Sequence, residues 1–326
     1  MPELAGSTVV VIGGAGFIGS HIVEQLLDEP VGRVLVLDNF VRGIRANLDH
    51  AIRDARVEVR EGSILNLPFL ERAMEESDYA FHLAALWLHE CVHQPRDAVQ
   101  VNALGTFNVI EAAERADVRK VVYSSSASVY GEAVSIPMTE EHPFHNRTLY
   151  GATKIAGEQF FRAFYEQHGL DYVGLRYMNV YGPRMDDKGA YVSVIVKVLE
   201  RIESGEPPLV FGDGSQAYDF VHVDDVARAN VLALKSEATD VFLNIGTGTS
   251  TTISELVEKL LALTSSELQP EYLPRQDMFV RNRVGSTEAA ERAVGFRAAI
   301  GLEEGLASFI SGRGARMSAR ARPAAG

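Results

Sequence analysis

The feature that most constrains this chain lies within its first twenty residues. Thr8–Ile12 (TVVVI) is an unbroken apolar run, the pattern of a strand covered on both faces. It leads into Gly13-Gly14-Ala15-Gly16-Phe17-Ile18-Gly19, and a helical stretch is predicted over Phe17–Glu29. Glycines at this spacing permit a tight turn, close approach of backbone N–H groups to a pyrophosphate, and helix–strand packing without a Cβ. The helix N-terminus adds partial positive charge at the same point. Strand, turn and helix in this order predict an open α/β fold with a dinucleotide at its edge.

The following segments keep that rhythm. Arg33–Asp38, Val57–Arg60, Tyr79–Ala84 and Arg119–Ser124 read as strands, with helices at Pro68–Glu76, Pro95–Arg115 and Tyr150–His168. Asp171–Met178 and Val241–Ile245 are further strands, with a helix at Asp224–Leu234 between them. This alternation predicts a Rossmann-type, doubly wound parallel sheet. Beyond Tyr181, Gly182-Pro183, Gly205-Glu206-Pro207-Pro208 and Gly212-Asp213-Gly214 cut the chain into short pieces. We therefore expect a nucleotide-binding domain from 1–180 plus 218–246, and a smaller interleaved α/β substrate domain from 181–217 plus 247–312. The Gly/Ala/Arg/Ser-rich stretch 313–326 reads as a flexible tail.

Asp38 ends the second strand, 19 residues after Gly19. A carboxylate there accepts the adenosine ribose hydroxyls and repels a 2′-phosphate, so NAD is expected rather than NADP. Arg42 and Arg45 nearby read as solvated loop charges. Tyr150-Gly151-Ala152-Thr153-Lys154 then puts a phenol and an ammonium on one helix face. Tyrosine must lose about three pKa units, or ~4 kcal/mol, to act as a base at neutral pH. An ammonium at about 4 Å in a dielectric near 20 supplies about that much. Tyr123-Ser124-Ser125-Ser126 ends a strand at the sheet's carboxyl edge, where a serine hydroxyl can hold a substrate oxygen.

Composition narrows the partners. The net charge is −13, and four arginines fall after residue 312, so the remainder is more acidic still. That disfavours a nucleic-acid platform. No apolar run reaches the roughly 18–20 residues of a membrane span. Met1-Pro2-Glu3 opens no secretory signal, and Cys91 is the single cysteine. A cytoplasmic location is expected. His89, Glu90 and His93 lack metal-site spacing, so no metal is expected. His82 and His222 read as core residues with satisfied ring nitrogens, and Gly246-Thr247-Gly248 reads as a turn before a capping box at Thr252–Glu255.

Together these segments resemble the extended short-chain dehydrogenase/reductases, specifically the nucleotide-sugar 4-epimerases. The matching stretches are GGAGFIGS (13–20), LDN (37–39), HLAA (82–85), VNALGT (101–106), YSSSASVYG (123–131), YGATK (150–154), LRYMNVYGP (175–183), VFGDG (210–214) and DFVHVDDVARA (219–229). The resemblance implies NAD as cofactor and Ser126, Tyr150 and Lys154 as the catalytic set. It implies cofactor contacts from Gly13, Gly16, Phe17, Ile18, Gly19, Asp38, Asn39, Ser63 and Ile64. Leu83, Ala84, Ala85, Asn102, Ser124, Tyr150, Lys154, Tyr177 and Met178 complete that implied set. Asn179 and Phe211 would touch the substrate, and Trp87 and Arg184 are further candidates for the sugar pocket.

Tyr218 stands where the family carries an arginine on the diphosphate. Arg281 and Arg283, sharing a face of a possible strand, are candidates to restore that charge. The family's dehydratases carry Asp-Glu after the catalytic Ser/Thr, whereas this chain has Ala127-Ser128. The implied reaction is epimerisation at C4 of a UDP-sugar through a transient 4-keto species, by a homodimer formed through the two long helices. Arg184 tips the expected pair toward UDP-glucuronate/UDP-galacturonate over UDP-glucose/UDP-galactose. A nucleotide-sugar reductase or dehydratase, and a non-catalytic NAD-binding protein, are the other possibilities.

Overall fold

The computed structural model describes residues 3–186, 194–274 and 280–320, with side chains to Arg313. Its first six strands are β1 (Thr8–Ile12), β2 (Arg33–Asp38), β3 (Val57–Glu61), β4 (Tyr79–His82), β5 (Lys120–Ser126) and β6 (Tyr172–Tyr177). Shorter ones follow: β7 (Asn179–Tyr181), β8 (Leu209–Phe211), β9 (Ala217–Tyr218) and β10 (Phe220–His222). The last are β11 (Val241–Ile245), β12 (Thr251–Thr252), β13 (Glu271–Leu273) and β14 (Asn282–Arg283). Strands β1 to β6 and β11 form one sheet in the order 3-2-1-4-5-6-11, every pair parallel. Strand order reverses between β1 and β4, which opens a crevice at their carboxyl ends.

Both faces of the sheet are covered. Val9 and Val11 of β1 join one apolar cluster, and Val10 and Ile12 join the other. The same alternation in Val34/Val36 and Leu35/Leu37 explains why these strands read as continuous apolar runs. Helices α1 (Phe17–Leu26), α2 (Leu67–Glu75), α3 (Leu88–His93), α4 (Pro95–Ala98), α5 (Thr106–Arg115) and α6 (Leu149–His168) lie in the first half. Then come α7 (Val194–Glu203), α8 (Val223–Lys235), α9 (Ile253–Leu263), α10 (Glu288–Val294) and α11 (Leu302–Arg320). A third cluster gathers Ile195, Leu199, Val210, Leu256, Leu260 and Leu306, all from outside the main sheet. No described helix is long and apolar enough to cross a membrane.

Two expectations change. The helix predicted to Glu29 stops at Leu26, just before Pro30 and Gly32 turn the chain into β2. The single helix expected over Pro95–Arg115 contains a π-helical stretch at Val99–Gly105, with Asn102 inside it. The last described helix runs to Arg320, and 321–326 of the expected tail lie outside the described residues.

Beneath the carboxyl end of β5, a polar knot joins α6 to the sheet. Glu158 and Arg176 form a bidentate pair, with Nη2–Oε2 at 2.7 Å and Nε–Oε1 at 2.9 Å, and both residues are buried. Ser125 Oγ donates to Glu158 Oε1 at 2.5 Å. Arg176 Nη1 donates to the Tyr130 hydroxyl at 2.8 Å, which donates onward to Asn244 Oδ1 at 2.7 Å. Arg176→Met would strand the Glu158 carboxylate in the core, at a cost of about 3–5 kcal/mol. We expect a marked fall in the urea midpoint of unfolding; a midpoint unchanged from wild type would show that the knot carries no stability.

Candidate active site

The glycine turn is held from below by a carboxylate. Asp38 is buried; its Oδ2 accepts the Ala15 N–H at 3.0 Å and its Oδ1 accepts the Phe40 N–H at 2.8 Å. Burial raises its pKa, and the two N–H donors oppose that shift. A carboxylate has about four lone-pair sites, so acceptor capacity remains for ribose hydroxyls. Gly13 adopts φ +84°, and a Cβ there would lie 2.8 Å from the Ala84 nitrogen. A Cβ on Gly43 would strike the Asp38 carboxyl. The backbone is thus stripped of side chains where a pyrophosphate and ribose need room.

Above this turn runs a cleft of about 590 Å³. Gly13, Gly16, Phe17, Ile18 and Gly19 form its floor, with Asp38 and Asn39 at one end. Ser63 and Ile64 line one wall, and Leu83, Ala84, Ala85 and Ser124 carry it toward the catalytic residues. Its volume and open glycine floor fit a dinucleotide.

Ser126, Tyr150 and Lys154, the candidate catalytic residues, meet near the start of α6. Thr148 caps that helix by accepting the Gly151 N–H at 3.1 Å. A Cβ at Gly151 would fall 2.5 Å from the Ser128 carbonyl oxygen, so glycine lets α6 close onto the turn that carries Ser126. Tyr150 and Ser126 are thereby brought into interaction, and Ser126 lowers the phenol pKa. Lys154 is buried one turn further along, its Nζ donating to the Ser124 carbonyl at 2.7 Å and lying 5.8 Å from the Tyr150 ring centroid. Burial dominates Tyr150 and pushes it up to about 12; Cys91 adds to the rise, while Ser126, Arg283 and Arg42 oppose it. Burial also pulls Lys154 down to about 8. The sequence leads one to expect a large pull of Lys154 on the phenol; in the structure burial is the largest influence on it.

Residues 9–246 match the model of the NAD dependent epimerase/dehydratase family. The chain belongs to the NAD-dependent epimerase/dehydratase family. It is 34% identical to the UDP-glucose 4-epimerase of Mycolicibacterium smegmatis, over 92% of this chain and 96% of that protein. The crystal structure of UDP-glucose 4-epimerase with UDP-glucose from Thermotoga maritima superposes with TM-score 0.88 at 34% identity, covering 95% and 99% of the two chains. The UDP-N-acetylglucosamine 4-epimerase of Methanobrevibacter ruminantium, in complex with UDP-N-acetylmuramic acid, gives TM-score 0.91 at 33% identity, covering 96% and 100%. NAD is the cofactor of this family member.

The other expected positions are placed as follows. Arg184, at φ +67° after the Gly182-Pro183 turn, pairs with Glu24 of α1 and lines the cleft. Arg281 is exposed, its backbone N–H spent on Glu132; Arg283, two residues on, opposes the rise of Tyr150 together with Arg42. Tyr218 is half-buried and donates to the Val280 carbonyl at 2.9 Å. Phe211 is half-buried at the end of β8. Tyr177 is buried behind the cleft wall, donating to Asn230 at 2.9 Å, and Met178 fills the space beside Gly246 and Gly285. Asn102 also stands behind the wall, where it clamps Leu86 by accepting its N–H and donating to its carbonyl, both at 2.7 Å. Asn179, at the start of β7, keeps a buried Nδ2 without a partner.

Other side chains escaped the sequence. Arg42 is not a solvated charge: it pairs with Glu90 at 2.9 Å and Asp186 at 2.8 Å, and its guanidinium lies 4.5 Å from the Trp87 ring centroid. Arg45 pairs with Glu61 at 2.6 Å. Both cations near Asp38 are therefore engaged, which leaves the Asp38 preference for NAD unblunted. Cys91 is buried and acts on Tyr150 and Lys154, its thiol pushed up to about 11 by burial. His82 keeps an unpartnered Nδ1 and His222 an unpartnered Nε2, contrary to the satisfied core histidines expected. The Thr247 and Gly248 N–H groups are consumed by Asp219, so the second glycine turn is structural.

Gly19→Ala would drive a Cβ into the Gly13 carbonyl. We expect loss of NAD from the purified protein, read by absorbance after denaturation; full NAD content would remove this turn from cofactor binding. Lys154 offers a pH signature. Its folded pKa of about 8 lies below its ordinary 10.5, so its charged form costs stability below pH 8, and that cost is relieved as pH rises to about 10.5. In NAD-stripped protein, the stability gap between wild type and Lys154→Met should move in favour of wild type across that window. A pH-independent gap would contradict it.

Proposed function

We propose that this enzyme inverts C4 of a UDP-linked hexose, with UDP-glucose/UDP-galactose as the preferred pair. The observation that carries the proposal is the meeting of Ser126, Tyr150 and Lys154 at the end of the dinucleotide cleft, with Ala127 and Ser128 following Ser126. Neither of those two residues can supply the extra acid–base pair that dehydration needs. When bound, the nicotinamide supplies the hydride acceptor and donor for C4, so none is consumed.

The chain's own residues manage the proton and the orientation. Ser126 holds the substrate 4-oxygen and bridges it to the Tyr150 phenol. Tyr150 removes and returns the hydroxyl proton. Lys154 organises the Ser124 carbonyl and carries the positive charge toward the nicotinamide ribose. Because burial holds the phenol near 12, proton removal requires added positive charge in the site, which couples Tyr150 to the oxidised cofactor. Phe211 stacks on the nucleotide base, and Asn179 donates to the substrate.

Arg184 was the sequence basis for a uronate substrate, and its pairing with Glu24 removes that support. A different observation favours UDP-glucuronate/UDP-galacturonate as the second reading: Arg283 acts on Tyr150, and its buried Nε has no hydrogen-bond partner. We propose a homodimer through α5 and α6. Val99 and Leu104 are exposed beside them, and Phe107 forms an aromatic edge with Phe160 and Phe164. The lone thiol suits a reducing compartment such as the cytoplasm.

Purified enzyme should interconvert the two UDP-hexoses without added NADPH, followed by NMR. Tyr150→Phe should lower kcat by about 10²–10⁴-fold while NAD content stays as in wild type. Activity within about threefold of wild type, or a strict need for stoichiometric NADPH, would overturn the proposal.

A further inference from the structure

Arg42 reaches across the crevice that the sheet opens. In the strand order 3-2-1-4, β1 and its glycine turn lie between β2 and β4. Arg42 follows β2, whereas Trp87 and Glu90 follow β4. Its Nη1 nonetheless donates to Glu90 Oε1 at 2.9 Å, and its guanidinium carbon lies 4.5 Å from the Trp87 ring centroid. The side chain therefore spans the gap above the glycine turn, the place a pyrophosphate takes in folds of this kind. Gly13, Gly16 and Arg42 line the same cleft.

The other guanidinium nitrogen carries the bar to a third element. Arg42 Nη2 donates to Asp186 Oδ2 at 2.8 Å, although the two residues are 144 apart in sequence. Asp186 ends a segment after β7 that is fastened along its length. The Pro183 carbonyl lies 3.0 Å from His21 Nε2, and His21 Nδ1 lies 2.6 Å from Asp224 Oδ1. Arg184 pairs with Glu24 of α1, and Arg184, Met185 and Asp186 all line the cleft. Segment 183–186 thus runs along one rim from α1 to Arg42, and Arg42 joins that rim to Trp87 and Glu90 on the other. A planar guanidinium holds two carboxylates and a ring face at once, a geometry an ammonium does not reproduce. The side chains of Arg42, Glu90 and Asp186 are 29%, 30% and 46% exposed, so salt reaches and screens these pairs.

We propose that Arg42, Glu90 and Asp186 form a clasp over the dinucleotide cleft that sets how long NAD stays bound. The clasp acts by barring the opening. A dinucleotide lying on the glycine turn leaves only when Arg42 releases Glu90 and Asp186 together. Its occupant is NAD, whichever sugar reaction the enzyme performs, so the clasp stands or falls apart from the choice of substrate. Two partly exposed ion pairs and one stacked ring together correspond to about a 5–100-fold difference in escape rate.

The test times escape of the cofactor. Enzyme loaded with NADH is mixed with excess NAD, and the loss of protein-bound nicotinamide fluorescence is followed. Arg42→Ala should speed release by about 5–100-fold, and Glu90→Gln or Asp186→Asn by about 1.5–5-fold each. Arg42→Lys should fall between wild type and Arg42→Ala. Added salt should speed release from wild type and leave Arg42→Ala unchanged. In the double variant Arg42→Ala/Asp186→Asn the two effects should be less than additive, because either change breaks the same pair. Glu90→Gln and Asp186→Asn keep the side-chain shape, so they decide the matter even if Arg42→Ala fails to fold. Release sped by Arg42→Ala alone, with both acid variants at the wild-type rate, would overturn the clasp and make Arg42 a direct cofactor contact. Unchanged release in every variant would overturn it as well.

Discussion

The buried Glu158–Arg176 pair is the interaction on which the arrangement of the active site depends. Glu158 lies one helical turn beyond Lys154, and its carboxylate takes Ser125, the residue between Ser124 and Ser126. One ion pair therefore fixes α6, which carries Tyr150 and Lys154, against the strands that carry the serines. Through Tyr130 and Asn244 it extends to β11, the edge strand of the sheet. Two charges buried together gain little net stability over an apolar pair, but breaking one is severe. Their value here is geometric, since catalytic groups must be held to about half an ångström.

Burial then sets the electrostatics. The same enclosure that positions Tyr150 and Lys154 disfavours both charged forms, lifting the phenol and lowering the ammonium. A tyrosine at about 12 is no base at neutral pH. Lys154 Nζ lies 5.8 Å from the phenol ring centroid and donates to the Ser124 carbonyl. Positive charge added to the site would oppose the rise of the phenol.

Local chemistry explains why much of this was legible in the sequence. The glycine turn, Asp38 and the YGATK segment are short-range patterns whose spacing is dictated by one strand, one turn and one helix. The sheet followed because each strand is buried on both faces and so carries a continuous apolar run. The π-helical stretch was hidden, since its residues read as ordinary helix; Asn102 within it reaches across to Leu86, a partner 16 residues away. Arg42 was hidden for the same reason: its partners, Glu90 and Asp186, lie 48 and 144 residues away.

The two arginines show where sequence position misleads. Arg184 follows a motif that points at the sugar, yet a positive φ at that residue turns its side chain toward Glu24 and the cofactor cleft. Arg283 was one of two candidates in the sequence for the charge missing at Tyr218, and it occupies a two-residue strand. Register sets it opposite Tyr218 and level with Asp219 and Asn179. Charge in a pocket is assigned by where the backbone ladder delivers a side chain and by what is left to neutralise it. On that criterion Arg184 is paired with Glu24 while its Nη1 finds no partner, and Arg283 keeps a buried Nε without one.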